Sequence, residues 1–465
     1  MSVSHPKFAV VGHPNKGKSS IVSSLALDDS VEISDTPGTT VRKCSFPLMV
    51  DGRILYELYD TPGFQRARYV LEWLKQHHVS ADKKQEVVQV FIDEHRKDER
   101  FRDEVELLEP IMQGAGIIYV VDGSKPYGQE YEAEMEILRR TGQPSMALIN
   151  LIEKDDYVQE WKRALEQYFK MVRVFNPMSA TFKKHLQLLE SMAQLKEEWI
   201  APMKISIRYF ERYHEQMLQQ TAQTITQLIF ASLSHVEQLE LKDKEAGSVE
   251  EKKLEEMYKK TLRGLEYESQ KNIETIWHHG HLQKEEKGLM FEHMDLFSKQ
   301  SASIFGLTQK ELIVTAATGG AITGAGVDLL FAGHTLLLGG AIGAVIGGAS
   351  AYFGFEKLAK IDVLGQKLGQ KYLQMGPMEN QNFPFILLGR ALYHAQSVAS
   401  MSHARRERLK LEMNEAFKNQ WLDENARKSL YRYHKKFQSK AQTDTKNLEA
   451  YEKLILEILR KCIDG

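Results

Sequence analysis

A glycine-rich turn near the amino end of the chain constrains the fold more than any other feature. The turn has the form GxxxxGKS, and its consecutive residues are Gly12, His13, Pro14, Asn15, Lys16, Gly17, Lys18 and Ser19. An apolar run from Phe8 to Val11 precedes it, and a helix-forming segment that begins near Ser20 follows. Glycines let successive backbone N–H groups point inward at phosphate oxygens, where a lysine adds positive charge and a hydroxyl binds Mg²⁺. The pattern therefore predicts a phosphate site that extends to Ser20, with Lys18 on the terminal phosphates and Ser19 on Mg²⁺.

A polar, turn-forming segment follows at residues 35–40, with the sequence DTPGTT. Such a composition is typical of a loop that orders around a bound phosphate. A threonine in this loop can place its hydroxyl on Mg²⁺ and its N–H near the γ-phosphate. Thr40 is the preferred residue for this role, and Thr39 is the alternative.

A second phosphate-sensing segment is predicted after the strand-like run Ile54 to Tyr59. That run ends in the four residues Asp60, Thr61, Pro62 and Gly63. An aspartate at a strand end can hold Mg²⁺ through water, and the N–H of Gly63 can sense the γ-phosphate. The predicted catalytic residues are therefore Lys18, Thr40 and Gly63.

Three further apolar runs complete the pattern of a sheet. Residues 116–122 and 146–150 are continuously apolar up to a final polar residue, and residues 171–175 precede Ser179 and Ala180. Such runs are typical of parallel strands that are buried on both faces. Their alternation with helical segments predicts a doubly wound α/β domain with a mostly parallel sheet and its ligand at the carboxyl ends of the strands.

Taken together, these motifs resemble the Era/TrmE-like branch of the small GTPases within the P-loop NTPase superfamily. The resemblance covers about residues 5–200 and rests on GHPNKGKS, PGTT, DTPG, an Asn after a buried strand, and the pair Ser179–Ala180. It implies a GTPase domain over residues 1–200, hydrolysis of GTP to GDP and phosphate, Mg²⁺, and two switch loops. The whole layout also resembles a poorly characterised group of bacterial GTPases with a C-terminal domain of unknown function.

The base-reading motif departs from the family pattern, in which the order is NKxD. Here the order is Asn150, Leu151, Ile152, Glu153, so the lysine that packs along the base is replaced by Leu151. Glu153 retains a carboxylate on a longer side chain. The switch motifs and the Ser179–Ala180 loop favour GTP over ATP, and the strength of that preference is open.

A second feature concerns the source of charge during hydrolysis. Phe64 follows DTPG, where a water-orienting glutamine often stands in GTPases, and a phenyl ring cannot polarise water. In the related branch, the Asn of GxxNxGKS helps to hold K⁺ beside the phosphates, and Asn15 occupies that position. Two interpretations are open: K⁺-stimulated hydrolysis with a slow basal rate, or an Asn15 that only caps the turn.

Length, charge and cysteine content limit the kinds of function that the chain could have. The chain has 465 residues, a formal net charge of −2 and two cysteines, Cys44 and Cys462. A chain of this length is expected to form two or three domains. A net charge so close to zero argues against nucleic-acid binding, and the low cysteine content fits a reducing compartment. The first residues lack the apolar core of a signal peptide, so we expect a cytoplasmic protein, with possible association with the inner membrane.

The segments outside the sheet are predicted to be helical. Residues 65–112 contain apolar residues at helical spacing and are predicted to be a helical insertion, either a partner-sensing element that moves with the switch or a static elaboration. Residues 201–465 are predicted to form an all-α domain.

Within that domain, residues 312–355 form a glycine-rich apolar segment whose only formal charge is Asp328. Small residues repeat every four positions, which predicts a helical hairpin of Leu312–Gly326 and Thr335–Phe355 packed strip against strip. This composition favours membrane association over a tight core within a helical bundle.

The leading hypothesis is a GTP-dependent switch that binds a guanine nucleotide and is coupled to a membrane-associated or partner-binding helical domain. A protein partner or a homodimer would contact the switch regions. Two alternatives are a ribosome- or RNA-associated assembly GTPase, and a nucleotide-binding scaffold with little hydrolysis.

Overall fold

The structure is a computed structural model in which the chain divides into two compact units, with the boundary between His214 and Glu215. It describes residues 5–14, 16–26, 44–50, 53–152, 156–178, 180–241, 248–277, 294–316, 371–400, 422–438 and 444–464.

A six-stranded sheet forms the centre of the first unit. Its strands are β1 (Lys7–Val11), β2 (Cys44–Val50), β3 (Arg53–Asp60), β4 (Gly116–Asp122), β5 (Ser145–Asn150) and β6 (Val172–Val174). They lie in the order β2-β3-β1-β4-β5-β6. The β2–β3 pair is antiparallel and every other neighbouring pair is parallel. The predicted mostly parallel α/β sheet is therefore confirmed.

Helices connect these strands. They are α1 (Lys18–Ala26), α2 (Ala67–Gln76), α3 (Lys84–His95), α4 (Arg102–Met112), α5 (Glu130–Arg140), α6 (Val158–Leu165) and α7 (Phe182–Ala193). Two short 3-10 helices, Ala81–Lys83 and Glu99–Phe101, stand before α3 and α4. The longer helix α8 (Glu197–Ser234) contains the boundary between the two units.

The sheet is buried on both faces, which explains why its strands are continuously apolar. All seven residues of β4 are buried. Ile117, Tyr119 and Val121 belong to one core cluster, whereas Ile118 and Val120 belong to another. Successive side chains of a strand point to opposite faces, so the two clusters lie on opposite sides of the sheet.

The segment between β3 and β4 contains α2, α3 and α4. Each of these helices buries apolar side chains in the same core cluster, for example Val70, Phe91 and Leu107. Burial of such a side chain contributes about 1.5–3 kcal/mol. The three helices are therefore packed as part of the first unit.

The second unit is mainly helical, as predicted for the C-terminal half. Besides the later part of α8 it contains α9 (Ser248–Ile276), α10 (Lys299–Phe305), α11 (Gln309–Ala316), α12 (Phe383–Ser400), α13 (Glu424–Phe437) and α14 (Thr445–Asp464). It also contains two short strands, β7 (Glu237–Leu241) and β8 (Lys371–Met375), which pair antiparallel with Leu239 opposite Leu373. No local sequence pattern had indicated this pair.

The predicted glycine-rich hairpin falls almost wholly outside the described residues. Of residues 312–355, only 312–316 are described, as the end of α11. None of the described helices combines the length with the apolar composition that a membrane crossing requires.

Candidate functional site

Three predicted nucleotide-binding residues, together with Asp122, lie at the carboxyl ends of four neighbouring parallel strands. Gly12 directly follows β1, Asp60 ends β3, Asp122 ends β4 and Asn150 ends β5. Strand pairing places Val10 beside Asp60, and Asp122 beside Asn150. This edge is where doubly wound sheets bind their ligands.

The glycine-rich turn requires glycine at both of its ends. Gly12 has φ +146° and Gly17 has φ +79°, conformations that residues with a Cβ rarely adopt. A Cβ at Gly12 would lie 2.3 Å from the carbonyl oxygen of Val120, and one at Gly17 would lie 2.3 Å from Nδ2 of Asn150. The turn can curl against β4 and β5 only because these side chains are missing.

Lys18 lies inside this turn. Its side chain is 8% exposed, and its Nζ donates hydrogen bonds to the carbonyl oxygens of Gly12, at 3.2 Å, and His13, at 3.1 Å. Burial lowers the pKa of Lys18, and the nearby carboxylates of Asp60 and Glu134 partly oppose that effect. The ammonium group is thus buried within the turn, where water screens its charge little and a bound anion would be strongly attracted to it.

The two predicted magnesium ligands on described residues lie side by side. The hydroxyl of Ser19 donates to Oδ2 of Asp60 at 2.7 Å. Asp60 is buried at the end of its strand, and burial raises its pKa, whereas the Ser19 hydrogen bond and the Lys18 charge act in the opposite direction. A buried carboxylate with a raised pKa is stabilised when a cation binds beside it.

The segment after Asp60 is braced against β1 and the glycine-rich turn. The hydroxyl of Thr61 donates to the carbonyl oxygen of Val10 at 2.8 Å. A Cβ on Gly63 would lie 2.6 Å from the backbone nitrogen of Pro14. Pro62 lies buried between them, so this segment and the turn form one packed surface.

Phe64 is buried in the core, with only 1% of its surface exposed. Its ring belongs to the same apolar cluster as Val70 of α2 and Ile111 of α4. Phe64 therefore anchors the segment to the core, and its ring contributes no polar group to the site.

Asn150 and Lys16 connect the predicted base-reading segment to the turn. Nδ2 of Asn150 donates to the carbonyl oxygen of Lys16 at 3.1 Å, and Nζ of Lys16 lies 3.7 Å from Oδ2 of Asp122. Leu151 is partly buried and packs against the core cluster that contains Phe64. Ala180 is partly buried and packs against the cluster on the other face of the sheet.

The structure adds carboxylates that the motifs had not indicated. Glu134 on α5 is 2% exposed, and its carboxylate oxygens lie 3.0 Å from Nδ1 of His13 and 2.8 Å from the hydroxyl of Tyr119. Asp122 could have been found by its place at the end of an apolar strand. Glu134 carries no such signal, because its contacts with His13 and Tyr119 depend on which face of α5 packs against the turn and β4.

Five residues of the predicted site or its alternatives lie outside the described residues. They are Asn15, Thr39, Thr40, Glu153 and Ser179. Ser20 is described as a half-buried residue in the first turn of α1.

Comparison with known families assigns both parts of the chain. Residues 162–459 match a family described as a domain of unknown function, DUF3482, and this match covers more than half of the chain. The chain belongs to the DUF3482 family. Residues 7–154 match the family described as 50S ribosome-binding GTPase, MMR_HSR1. This member of the DUF3482 family therefore carries a P-loop GTPase domain in front of its helical region.

Curated relatives are similar to the amino-terminal part. GTPase Der of Agathobacter rectalis is 38% identical over 92 residues, which are 19% of this chain and 21% of that protein. GTPase Der of Aromatoleum aromaticum is 28% identical over 160 residues, or 34% and 30% of the two chains. GTPase Der of Mycoplasma pneumoniae is 28% identical over 199 residues, or 41% and 38%. The chain thus spans well under half the length of each of these relatives.

Proposed function

We propose that this chain binds GTP with Mg²⁺ and hydrolyses it to GDP and phosphate as a nucleotide-dependent switch. The observation that carries the proposal is the contact of Ser19 with Asp60 beside the buried ammonium group of Lys18. A hydroxyl and a carboxylate at the metal position, with a lysine inside a glycine-rich turn, are the parts that phosphoryl transfer requires. The match of residues 7–154 to a GTPase family supports the same activity.

The oxygen ligands fit magnesium in chemistry, because Mg²⁺ prefers oxygen donors such as hydroxyl groups and carboxylates. The hydroxyl of Ser19 and the carboxylate of Asp60 lie 2.7 Å apart, so both could face one ion, Ser19 directly and Asp60 through water. When bound, Mg²⁺ neutralises negative charge on the phosphate oxygens. Ser19 and Asp60, together with Thr40, would hold the ion. Lys18 would exchange its two carbonyl partners for phosphate oxygens.

The proposed nucleotide is GTP, read by Asn150 and Glu153 with the Ser179–Ala180 loop. Leu151 does not supply the lysine contact of the NKxD pattern, so we expect a guanine preference weaker than that pattern provides. Displacement of labelled GTP by unlabelled GTP, GDP and ATP measures it. Displacement by ATP at the same concentration as by GTP would refute guanine selectivity.

Hydrolysis needs a source of charge other than the residue after DTPG, because the Phe64 ring is buried in the core. We propose that Asn15 helps to hold K⁺ beside the phosphates, in the manner of the Era/TrmE-like branch. Turnover should then be slow in NaCl and faster in KCl. Equal rates in the two salts would remove this part of the proposal.

Lys18→Ala tests the proposal as a whole. Removing the buried ammonium should abolish detectable heat of GTP binding in calorimetry and phosphate release in a single turnover. Lys75→Ala, which removes an exposed lysine from α2, is the matched control and should behave like the wild type. A wild type that binds GTP but releases phosphate no faster than Lys18→Ala would instead be a nucleotide-binding scaffold.

For the second unit we propose a role in which the nucleotide state changes contacts with a membrane surface at the cytoplasmic face of the inner membrane. The charge-poor composition of residues 312–355 supports this. The second candidate is a ribosome-associated GTPase, favoured by the match of residues 7–154 to the family described as 50S ribosome-binding GTPase. Co-sedimentation of the protein, loaded with a non-hydrolysable GTP analogue, with liposomes and with 50S particles separates the two. A homodimer through the switch regions would appear as a GTP-dependent increase in mass.

A further inference from the structure

A buried carboxylate from α4 caps the start of α2. Glu104 is fully buried, and its Oε1 accepts hydrogen bonds from the backbone N–H groups of Gln65, at 2.9 Å, and Arg66, at 2.5 Å. Helix α2 begins at the next residue, Ala67, and the side chain of its own capping residue, Arg66, makes no capping bond. Glu104 thus satisfies the N–H of the N-cap residue Arg66 and of the residue before it, a bond that a glutamate in the first turn often makes, although it lies 38 residues further along the chain.

This cap fixes the end of the segment that begins at Asp60. Residues 60–64 run from the metal position past the glycine-rich turn, with Gly63 against Pro14 and Phe64 inserted in the core. Glu104 then holds the next two peptide groups. A negative charge at this position also interacts favourably with the N-terminal end of the α2 dipole. The segment around Gly63 is therefore held on one side by Pro14 and on the other by Glu104.

Stability alone does not explain a carboxylate at this place. Oε2 of Glu104 is buried and has no hydrogen-bond partner among the described residues. Leaving a buried acceptor without a donor costs about 1–3 kcal/mol. The bonds that its other oxygen makes to Gln65 and Arg66 offset this cost and fix the start of α2.

We propose that Glu104 is a positioning residue for GTP hydrolysis, which holds the N–H of Gly63 where the γ-phosphate binds. This inference rests on the proposed function. A GDP complex has no γ-phosphate. The loss of this positioning should therefore slow the hydrolysis of GTP and leave the affinity for GDP unchanged. The residues between β3 and β4 are thereby coupled to the nucleotide through one side chain.

The test compares three variants of the full chain. Glu104→Ala removes the acceptor, whereas Glu104→Gln keeps a carbonyl oxygen for the two N–H groups. Glu109→Ala, which removes the ion pair with Arg96 on the surface of the same helix, is the matched control. We expect single-turnover phosphate release to fall about tenfold or more in Glu104→Ala, since bonds to charged acceptors are worth at least that ratio. We expect GDP affinity to stay within about twofold, and we expect Glu104→Gln to recover most of the rate.

Three results would overturn the inference: equal rates in Glu104→Ala and Glu109→Ala, a parallel loss of GDP and GTP affinity, or no recovery in Glu104→Gln. If Glu104→Ala does not fold, Glu104→Asp, which shortens the side chain by one methylene, is judged by the same criteria. If the wild type binds GTP without hydrolysing it, the hydrolysis in the proposed function fails. The ratio of GTP-analogue affinity to GDP affinity then decides on Glu104.

Discussion

The contact between Gly17 of the glycine-rich turn and Asn150 leads to a quantitative prediction for Gly17→Ala. Gly17 has φ +79°, and a Cβ built on it would lie 2.3 Å from Nδ2 of Asn150. The new methyl group therefore meets two obstacles. It strains the backbone, and it displaces the amide group that donates to the carbonyl oxygen of Lys16.

Each obstacle has a typical cost. A residue with a Cβ in the left-handed region costs about 1–2 kcal/mol, and a lost internal hydrogen bond costs about 0.5–1.5 kcal/mol. Gly17→Ala should therefore reduce the free energy of unfolding of the first unit by roughly 2–3 kcal/mol.

Gly142→Ala is the matched control for backbone strain alone. Gly142 has φ +68°, and the nearest atom to its Cβ, Oε1 of Gln85, lies at an ordinary contact distance of 3.6 Å. The difference between the two variants, about 1 kcal/mol, isolates the displacement of Asn150. In an Asn150→Ala background this difference should disappear.

Urea unfolding followed by hydrogen exchange of the β4 amides measures the first unit specifically. Equal costs for Gly17→Ala and Gly142→Ala in the wild-type background would refute the reasoning. So would a difference that persists after Asn150 is replaced, because the steric partner would then not be Asn150.

Two further predictions concern buried charges. Burial raises the pKa of Asp60 above its ordinary value of 3.8, so its contribution to stability is fully present below that value and is lost as the pH rises through the raised pKa. Asp60→Asn should therefore be more stable than the nucleotide-free wild type at pH 7 and should lose this advantage on acidification. Urea unfolding at several pH values checks this, and an advantage that grows toward acid pH would contradict it. In the second unit, Arg390 forms a buried ion pair with Glu266, with Nε and Oε1 2.5 Å apart. Arg390→Met should reduce the free energy of unfolding by about 3–5 kcal/mol, because it leaves a buried carboxylate uncompensated, and adding Glu266→Met should restore most of that loss. Thermal unfolding of the single and double variants measures both effects. A double variant no more stable than the single one would be inconsistent with this account.

Much of the first unit could be predicted because its signals are local. The strand that ends at Asp122 was predicted from seven consecutive residues, all of which are buried in the structure. The turn around Lys18 was predicted from glycines whose backbone conformations are now seen to exclude a Cβ. In both cases the residues that carry the signal are also the residues that adopt the structure.

Other features depend on partners that no local pattern reveals. Glu134 lies 121 residues from His13, and β7 pairs with β8 across more than a hundred residues. The burial of Phe64 is similar, because a phenylalanine after DTPG is compatible with either a core or a surface position. These contacts form only when segments that lie far apart along the chain pack or pair with each other, so no short stretch of sequence reveals them.

The chain's own sequence determined the phosphate-binding turn, the parallel strands of the first unit, and the residue types available for a nucleotide and Mg²⁺, since these follow from backbone conformation and from apolar runs along single segments. Only the tertiary structure decided that Ser19 touches Asp60, that Asn150 braces Lys16, and that Glu104 caps α2. The physical reason is that a buried polar group must find its partner in space, and folding brings together groups that lie far apart along the chain.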